Sequence, residues 1–236
     1  MLLLREEHQV TGKGEDDFEK ALRDEWMPSL AREGGARLLY HAHLAHGSGH
    51  SYRAVTYTLL RDGAAWGALV ERVNGGDLAS LSEKLDDLRH DVRSKVLVPL
   101  PWSALQEIEV ERVPSEAQEH ALSLFMEDTV WPFQGRLEAY VERAGAQYAS
   151  EYDKSFPNTP RLLEIQAAYR TAYGSHRRRE IVLWQKVLRP EGLLTLFADD
   201  MPAEYKQPGR WMVDALDYRD QWQSRLLRTS KWSPLY

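Results

Sequence analysis

His41 and His43 stand two residues apart in the stretch ARLLYHAHLAHGSGHSYRAVTYTLL, Ala36 to Leu60. The alternation on either side predicts a β-hairpin that turns at Gly47-Ser48-Gly49. Side chains two apart on a strand point the same way, roughly 7 Å from each other. Two imidazoles so placed can trade protons near neutrality, because an unperturbed ring titrates at a pKa of roughly 6.5. They can also hold zinc, copper or nickel if a carboxylate joins them. His46 and His50 also belong to this stretch, which holds four of the chain's eight histidines. They fall beyond the strand and need not converge with the other two.

Period-two alternation puts Arg53 and Tyr57 on the face of His41 and His43. A partner stretch, Leu162 to Leu188, offers Glu164, Gln166, Arg170, Glu180 and Trp184 on an equivalent face. The expectation is one shared interior. In it His41 and His43 are the catalytic acid and base, and Arg53, Tyr57, Glu164, Arg170 and Trp184 bind the substrate. An arginine can hold an anionic group or a developing enolate there. Two readings stand beside this one. The polar face can be solvated, or it can pair Arg with Glu across a seam. A metal held with help from Glu164, or a haem with one histidine as axial ligand, is the further chemical alternative. No cofactor is expected.

Composition removes several classes. The chain has 236 residues, a net charge of −6 and no cysteine. Disulfide frameworks, thiolate metal sites and thiol nucleophiles are excluded. The acidic balance with mixed signs argues against nucleic-acid or anionic-membrane partners. MLLLREEHQV lacks the basic start and apolar core of a signal peptide, and no apolar run is long enough for a membrane helix. A cytoplasmic protein is expected. Other apparent motifs are weak. Gly12-x-Gly14 lacks the third glycine of a dinucleotide loop. Ser48 sits in a hairpin turn, not on a strand-to-helix elbow. Arg177 to Arg179 reads as an exposed turn.

The elements that must position these groups recur. Leu2 to Val10 reads as a strand. A helix follows with the stripe Phe18, Leu22, Trp26 and Leu30, and Pro28 is expected to kink or shorten it. After the hairpin, Leu78, Leu81, Leu85, Leu88 and Val92 form a second stripe, and Lys95 to Leu100 a strand. The second half runs from a strand at Ala121 to Val130, through a stripe of Leu137, Val141, Ala144 and Tyr148 and a loop with Pro157 and Pro160. The second hairpin, a short helical piece at Leu193 to Phe197, the stripe Trp211, Ala215, Tyr218 and Trp222, and a strand at Leu226 to Trp232 complete it. SKVLVPLPWSAL (Ser94 to Leu105) aligns with SRLLRTSKWSPL (Ser224 to Leu235). AHGSGHSYRAVTY (Ala45 to Tyr57) aligns with AYGSHRRREIVLW (Ala172 to Trp184). An internal duplication follows, with repeats at 1–113 and 114–236. Each reads β-α-β-β-α-β, a ferredoxin-like unit of the α+β class. One such sheet has a bare face, which two units can cover by packing into a barrel.

With its doubled element order and paired endings Trp102-Ser103 and Trp232-Ser233, the chain resembles the dimeric α+β barrel superfamily, and within it the NIPSNAP-type proteins with tandem units. The resemblance implies a pseudo-dimeric barrel with a ligand between sheet and helix or inside the barrel. It carries no catalytic signature. The superfamily includes cofactor-free monooxygenases, haem-degrading enzymes, lactone isomerases and polyketide cyclases. The leading expectation is therefore a cofactor-independent enzyme acting on an aromatic or polyketide-like molecule. A non-catalytic binding or scaffold protein is the alternative, and a metal- or haem-dependent enzyme comes third. Because one chain can close the barrel, a monomer or a homodimer is expected.

Overall fold

A computed structural model describes residues 1–149, 161–194 and 203–236. Eight strands close an antiparallel barrel. They are β1 (Leu2–Val10), β2 (Ala36–Leu44), β3 (Arg53–Leu60), β4 (Arg89–Pro99), β5 (Leu124–Trp131), β6 (Leu163–Tyr173), β7 (Ile181–Val187) and β8 (Gln221–Thr229). Around the barrel the order is β1-β3-β2-β8-β5-β7-β6-β4. Each half thus contributes a ferredoxin-like sheet, β4-β1-β3-β2 or β8-β5-β7-β6. The two sheets join along β2–β8 and β4–β6, so neither keeps a free edge. The proposed boundary at 113/114 falls in the connector between β4 and β5.

Helices cover the outside. In the first half α1 (Glu15–Ala21) opens with three carboxylates at its positive end. It widens into a π-turn over Leu22–Trp26 and resumes as α2 (Met27–Ala31). Pro28 lies at the start of α2, where a missing N–H costs least. Two more helices, α3 (Gly63–Gly75) and α4 (Ala79–Asp87), complete this layer. In the second half α5 (Leu137–Arg143) runs into a π-turn at Ala144–Ala149, and the short α6 is Trp211–Asp214. The π-turns sit at equivalent positions, so the repeat extends to an irregularity.

Some stripes end earlier than the period suggests. The stripe at Leu78 to Val92 stops at Asp87, because Arg89 already starts β4. Trp222 belongs to β8 and not to a helix. The loop with Pro157 and Pro160, and Phe197 with most of its helical piece, lie outside the described residues.

Gly47 and Gly174 hold equivalent hairpin turns with φ of 84° and 86°. A Cβ on Gly47 would meet open space, whereas one on Gly174 would collide with the Ser94 carbonyl oxygen. Gly47→Ala should therefore cost only the left-handed strain of about 1 kcal/mol. Gly174→Ala must also displace the β4 backbone and should cost several times as much, read as the difference in urea midpoints.

The barrel is filled. Tyr40, Tyr57, Phe125, Tyr169 and Trp184 form its centre with Leu3, Leu59, Leu97 and Val182. Trp184 touches Tyr40, Tyr57 and Phe125 at ring-centroid distances of 5.2, 5.0 and 4.7 Å. Beside them lies an ion-paired layer. Arg5 grips Glu127 through two 2.8 Å hydrogen bonds, and Tyr57 donates to the same carboxylate at 2.5 Å. Glu7 accepts from Arg5, Arg53 and Arg225. Across the barrel Lys95 donates to Glu180 at 2.6 Å, joined by Thr171 and Trp131. These charges obey the repeat with reversed sign. Arg5 faces Tyr57 across β1–β3 as Glu127 faces Trp184 across β5–β7. In the same register Arg53 corresponds to Glu180.

Burial would raise the Glu7 carboxyl, but the guanidinium groups of Arg5, Arg225 and Arg53 outweigh it and hold it at about 2. A carboxyl held that low binds protons later than it does in the unfolded chain. Its contribution is complete above the ordinary Glu range and disappears as pH falls from about 4.5 towards 2. At about 1.36 kcal/mol per unit this amounts to about 3 kcal/mol. Glu7→Gln should lower stability at neutral pH and flatten the acid limb, measured by urea titrations at successive pH values.

Candidate functional site

The sheet divides the expected site residues between two faces. In β2 the register with β3 shifts between Leu38 and Tyr40. This bulge points both Leu39 and Tyr40 into the barrel, and every later side chain changes face relative to strict alternation. Tyr57 then lies opposite Tyr40, while His41 and His43 lie opposite Thr56 and Ala54. His41 and His43 are therefore outside the barrel, beneath α1. Arg53, Tyr57 and Trp184 are inside it. The shared interior expected from alternation is corrected accordingly. A matching bulge between Ile165 and Ala167 acts on β6. It leaves Arg170 on the outer surface, paired with Glu138 at 2.7 Å. Glu164 lies at the start of β6, opposite Lys186, and accepts from Gln166.

Of the seven residues, the structure brings His41 and His43 together outside the barrel and packs Tyr57 against Trp184 in its core, and it separates the two pairs. To the histidines it adds Glu19 from α1, which sequence reasoning missed. Glu15 and Glu19 are spaced to lie on one side of a helix, and that side borders the buried stripe of Phe18 and Leu22. Ligating atoms of Glu19, His41 and His43 all lie within 4.8 Å of one another. His43 Nε2 is 2.9 Å from Glu19 Oε2, and its Nδ1 is 3.3 Å from Glu15 Oε1. The ring of His41 meets that of His43 edge-on at 4.9 Å.

The far end of the chain holds this cluster in place. The indole of Trp232 stacks on His41 at 4.9 Å and 16°, and its Nε1 donates to Glu19 Oε1 at 2.6 Å. The backbone N–H of His41 donates to Ser233 Oγ at 3.1 Å. The Trp-Ser ending thus crosses from the second half to finish the first. Trp102-Ser103 does the reverse. Ser103 Oγ accepts from the Ala168 N–H, and Trp102 Nε1 donates to the Val141 carbonyl.

This reciprocity makes the second half an internal control. Where the first half has Glu19, His41 and His43, the second has Val141, Ala168 and Arg170. The architecture closes without the cluster, so packing does not call for it. The cluster even carries a cost. His41 is 0 % exposed and neither of its ring nitrogens has a hydrogen-bond partner. An unsatisfied buried polar group costs about 1–3 kcal/mol. Burial, with the neighbouring His43, pushes the His41 ring down to about 3, so it is neutral with a lone pair available. Burial would raise the Glu19 carboxyl, but the hydrogen bonds from His43 and Trp232 help hold it at about 2. A neighbouring histidine, His8, is fully engaged: Arg89 lies 2.8 Å from its Nδ1 and Thr56 Oγ1 3.0 Å from its Nε2. A separate cleft of about 430 Å³ opens at the start of α5, lined in part by Pro132, Phe133, Arg178 and Arg179. None of the seven residues lines it.

No protein-family model and no curated protein matches the chain. Solved structures do. A proposed monooxygenase from Lactobacillus acidophilus superposes with a TM-score of 0.58 at 9 % identity, covering 98 % of this chain and 97 % of its own. An anthrone oxidase-like protein gives 0.58 at 10 % identity over 99 % and 93 %. Chlorite dismutase from Candidatus Nitrospira defluvii gives 0.53 at 10 % over 97 % and 90 %. Among the described residues no helix is long and apolar enough to cross a membrane. Likeness at such identities concerns the fold alone: this chain has the α+β barrel fold of these structures, with both halves of the barrel in one polypeptide.

Proposed function

We propose that the chain is an enzyme acting on a small organic molecule, with Glu19, His41 and His43 as its reaction centre between α1 and the first sheet. The observation that supports this is His41, a buried neutral imidazole with no partner on either nitrogen, where the second half manages with Ala168. Such a lone pair acts on a proton or another electrophile. Glu19, 29 % exposed in its side chain, faces the solvent side of the cluster. The name of one fold relative, anthrone oxidase-like, supports an aromatic substrate. Arg53, Tyr57 and Trp184 serve the barrel core in this reading, and Glu164 and Arg170 take no part. A cytoplasmic location and a monomeric or homodimeric state go with the proposal, and fractionation and native mass measurement decide them.

The filled barrel interior supports a second reading, a non-catalytic binding or scaffold protein. A turnover and thermal-shift screen with aromatic ketones and hydroquinones separates the two. His41→Ala should fold, as the alanine at its counterpart implies, and should lower turnover of any substrate found by about 10²–10⁴-fold. Unchanged turnover in both His41→Ala and His43→Ala would remove the cluster from the chemistry.

A further inference from the structure

We infer that Glu19, His41 and His43 bind a single divalent first-row transition-metal ion, of the class of zinc, cobalt or nickel. This deepens the reading above, because it rests on the same cluster and names what the His41 lone pair meets. It replaces the cofactor-free expectation with a metal-assisted one.

The donor set is two imidazoles and one carboxylate, which suits borderline divalent ions. Metal–ligand bonds of about 2.0–2.2 Å need donors closer together than the 4.8 Å outer limit found here. Binding therefore requires side-chain rotations that draw the three donors together. The surrounding groups are already arranged for ligation. With Nε2 of His43 on the ion, its Nδ1 lies 3.3 Å from Glu15 Oε1, near enough for that carboxylate to favour the ligating tautomer. With Oε2 of Glu19 on the ion, Oε1 keeps its hydrogen bond from Trp232. The same indole fixes the plane of the His41 ring. Three protein ligands leave at least one position open, as in catalytic sites and unlike closed structural ones. Among the described residues this trio is the one grouping of three or more such ligands that can converge on an ion.

The test uses the full chain without a histidine tag, stripped with chelator and titrated with Co²⁺ and Zn²⁺ alone. Calorimetry should give one ion per chain at micromolar or tighter Kd, and Co²⁺ should give visible absorption of low-coordinate N/O ligation. Glu19→Gln, at a partly exposed helix position that leaves folding intact, should weaken binding at least 100-fold, and His41→Ala likewise. Glu15→Gln and Trp232→Phe, which touch only the ligands, should weaken it about 10–100-fold. Replacing His46 and His50 should change nothing. No stoichiometric binding by the folded wild-type chain overturns the inference, as does binding that survives Glu19→Gln and His41→Ala. The two proposals fail separately. A metal-free chain that still turns over a substrate through His41 defeats the metal alone. A chain that binds the ion, yet whose turnover survives loss of His41 and His43, defeats the assigned reaction centre alone.

Discussion

Glu127→Ala is expected to cost about 3–5 kcal/mol, the effect of removing one member of a buried ion pair, and so a large part of a total stability of about 5–15 kcal/mol. The reason is what remains. Arg5 is buried and gives two hydrogen bonds to Glu127, while its remaining carboxylate partner, Glu7, already accepts from Arg53 and Arg225. Tyr57 loses its acceptor too, and burial beside Glu127 keeps that hydroxyl from ionising. Glu127→Gln keeps the shape and two acceptor or donor sites, and should cost less than the alanine. The decisive variant is the exchange Arg5→Glu with Glu127→Arg. If opposite charge across the barrel is what matters, the exchange should recover part of the loss seen in each single variant. A double-mutant cycle read by urea unfolding measures that coupling. An exchange no better than the sum of the singles would mean that local hydrogen-bond geometry, and not charge sign, holds the layer.

Trp184→Ala should cost a further about 3–5 kcal/mol on its own, the range for truncating a buried aromatic. Trp184 is 0 % exposed and stacks on Phe125 at 15°, with Tyr40 and Tyr57 packed around it. Trp184→Phe should cost much less, since most of the contact survives. Both are measured as shifts in urea midpoint at constant slope. A pair of this kind also separates core from substrate roles. If Trp184 bound substrate, Trp184→Phe would impair ligand binding with stability nearly intact. The packing predicts that Trp184→Phe leaves ligand binding intact and that only Trp184→Ala, through lost stability, lowers it.

Much of the fold was legible because it is written twice. The paired Trp-Ser endings, the matched Gly47 and Gly174 turns and the first helix stripe of each half have structural counterparts, whereas the second stripes run on into β4 and β8. The site was legible in part. His41 and His43 do share a face, since a period of two relates neighbours on one side of the bulge. Which face they share was not legible. One extra residue near Leu39 reverses it, and nothing in Leu38-Leu39-Tyr40 marks a bulge, because all three are apolar and suit either side. The same hidden residue in β6 separated Arg170 from Trp184. Glu19 was missed for a different reason: a carboxylate near the start of a helix reads as a dipole partner in water, and only the indole of Trp232 and the ring of His43 show otherwise. The pattern also allows Arg to pair with Glu across the seam with no ligand, and the interior contains such pairs, Arg5 with Glu127 and Arg225 with Glu7.

The crossing of the Trp-Ser ending has a consequence for the order in which the protein comes into being. His41 is built early, and its backbone partner Ser233 lies 192 residues later. On the ribosome α1 and the first hairpin can assemble, but the wall that stacks on His41 and steadies Glu19 does not yet exist. A chain halted before Trp232 carries every side chain of the trio and lacks the indole and hydroxyl that pack it, so that packing waits until Trp232-Ser233 has been made.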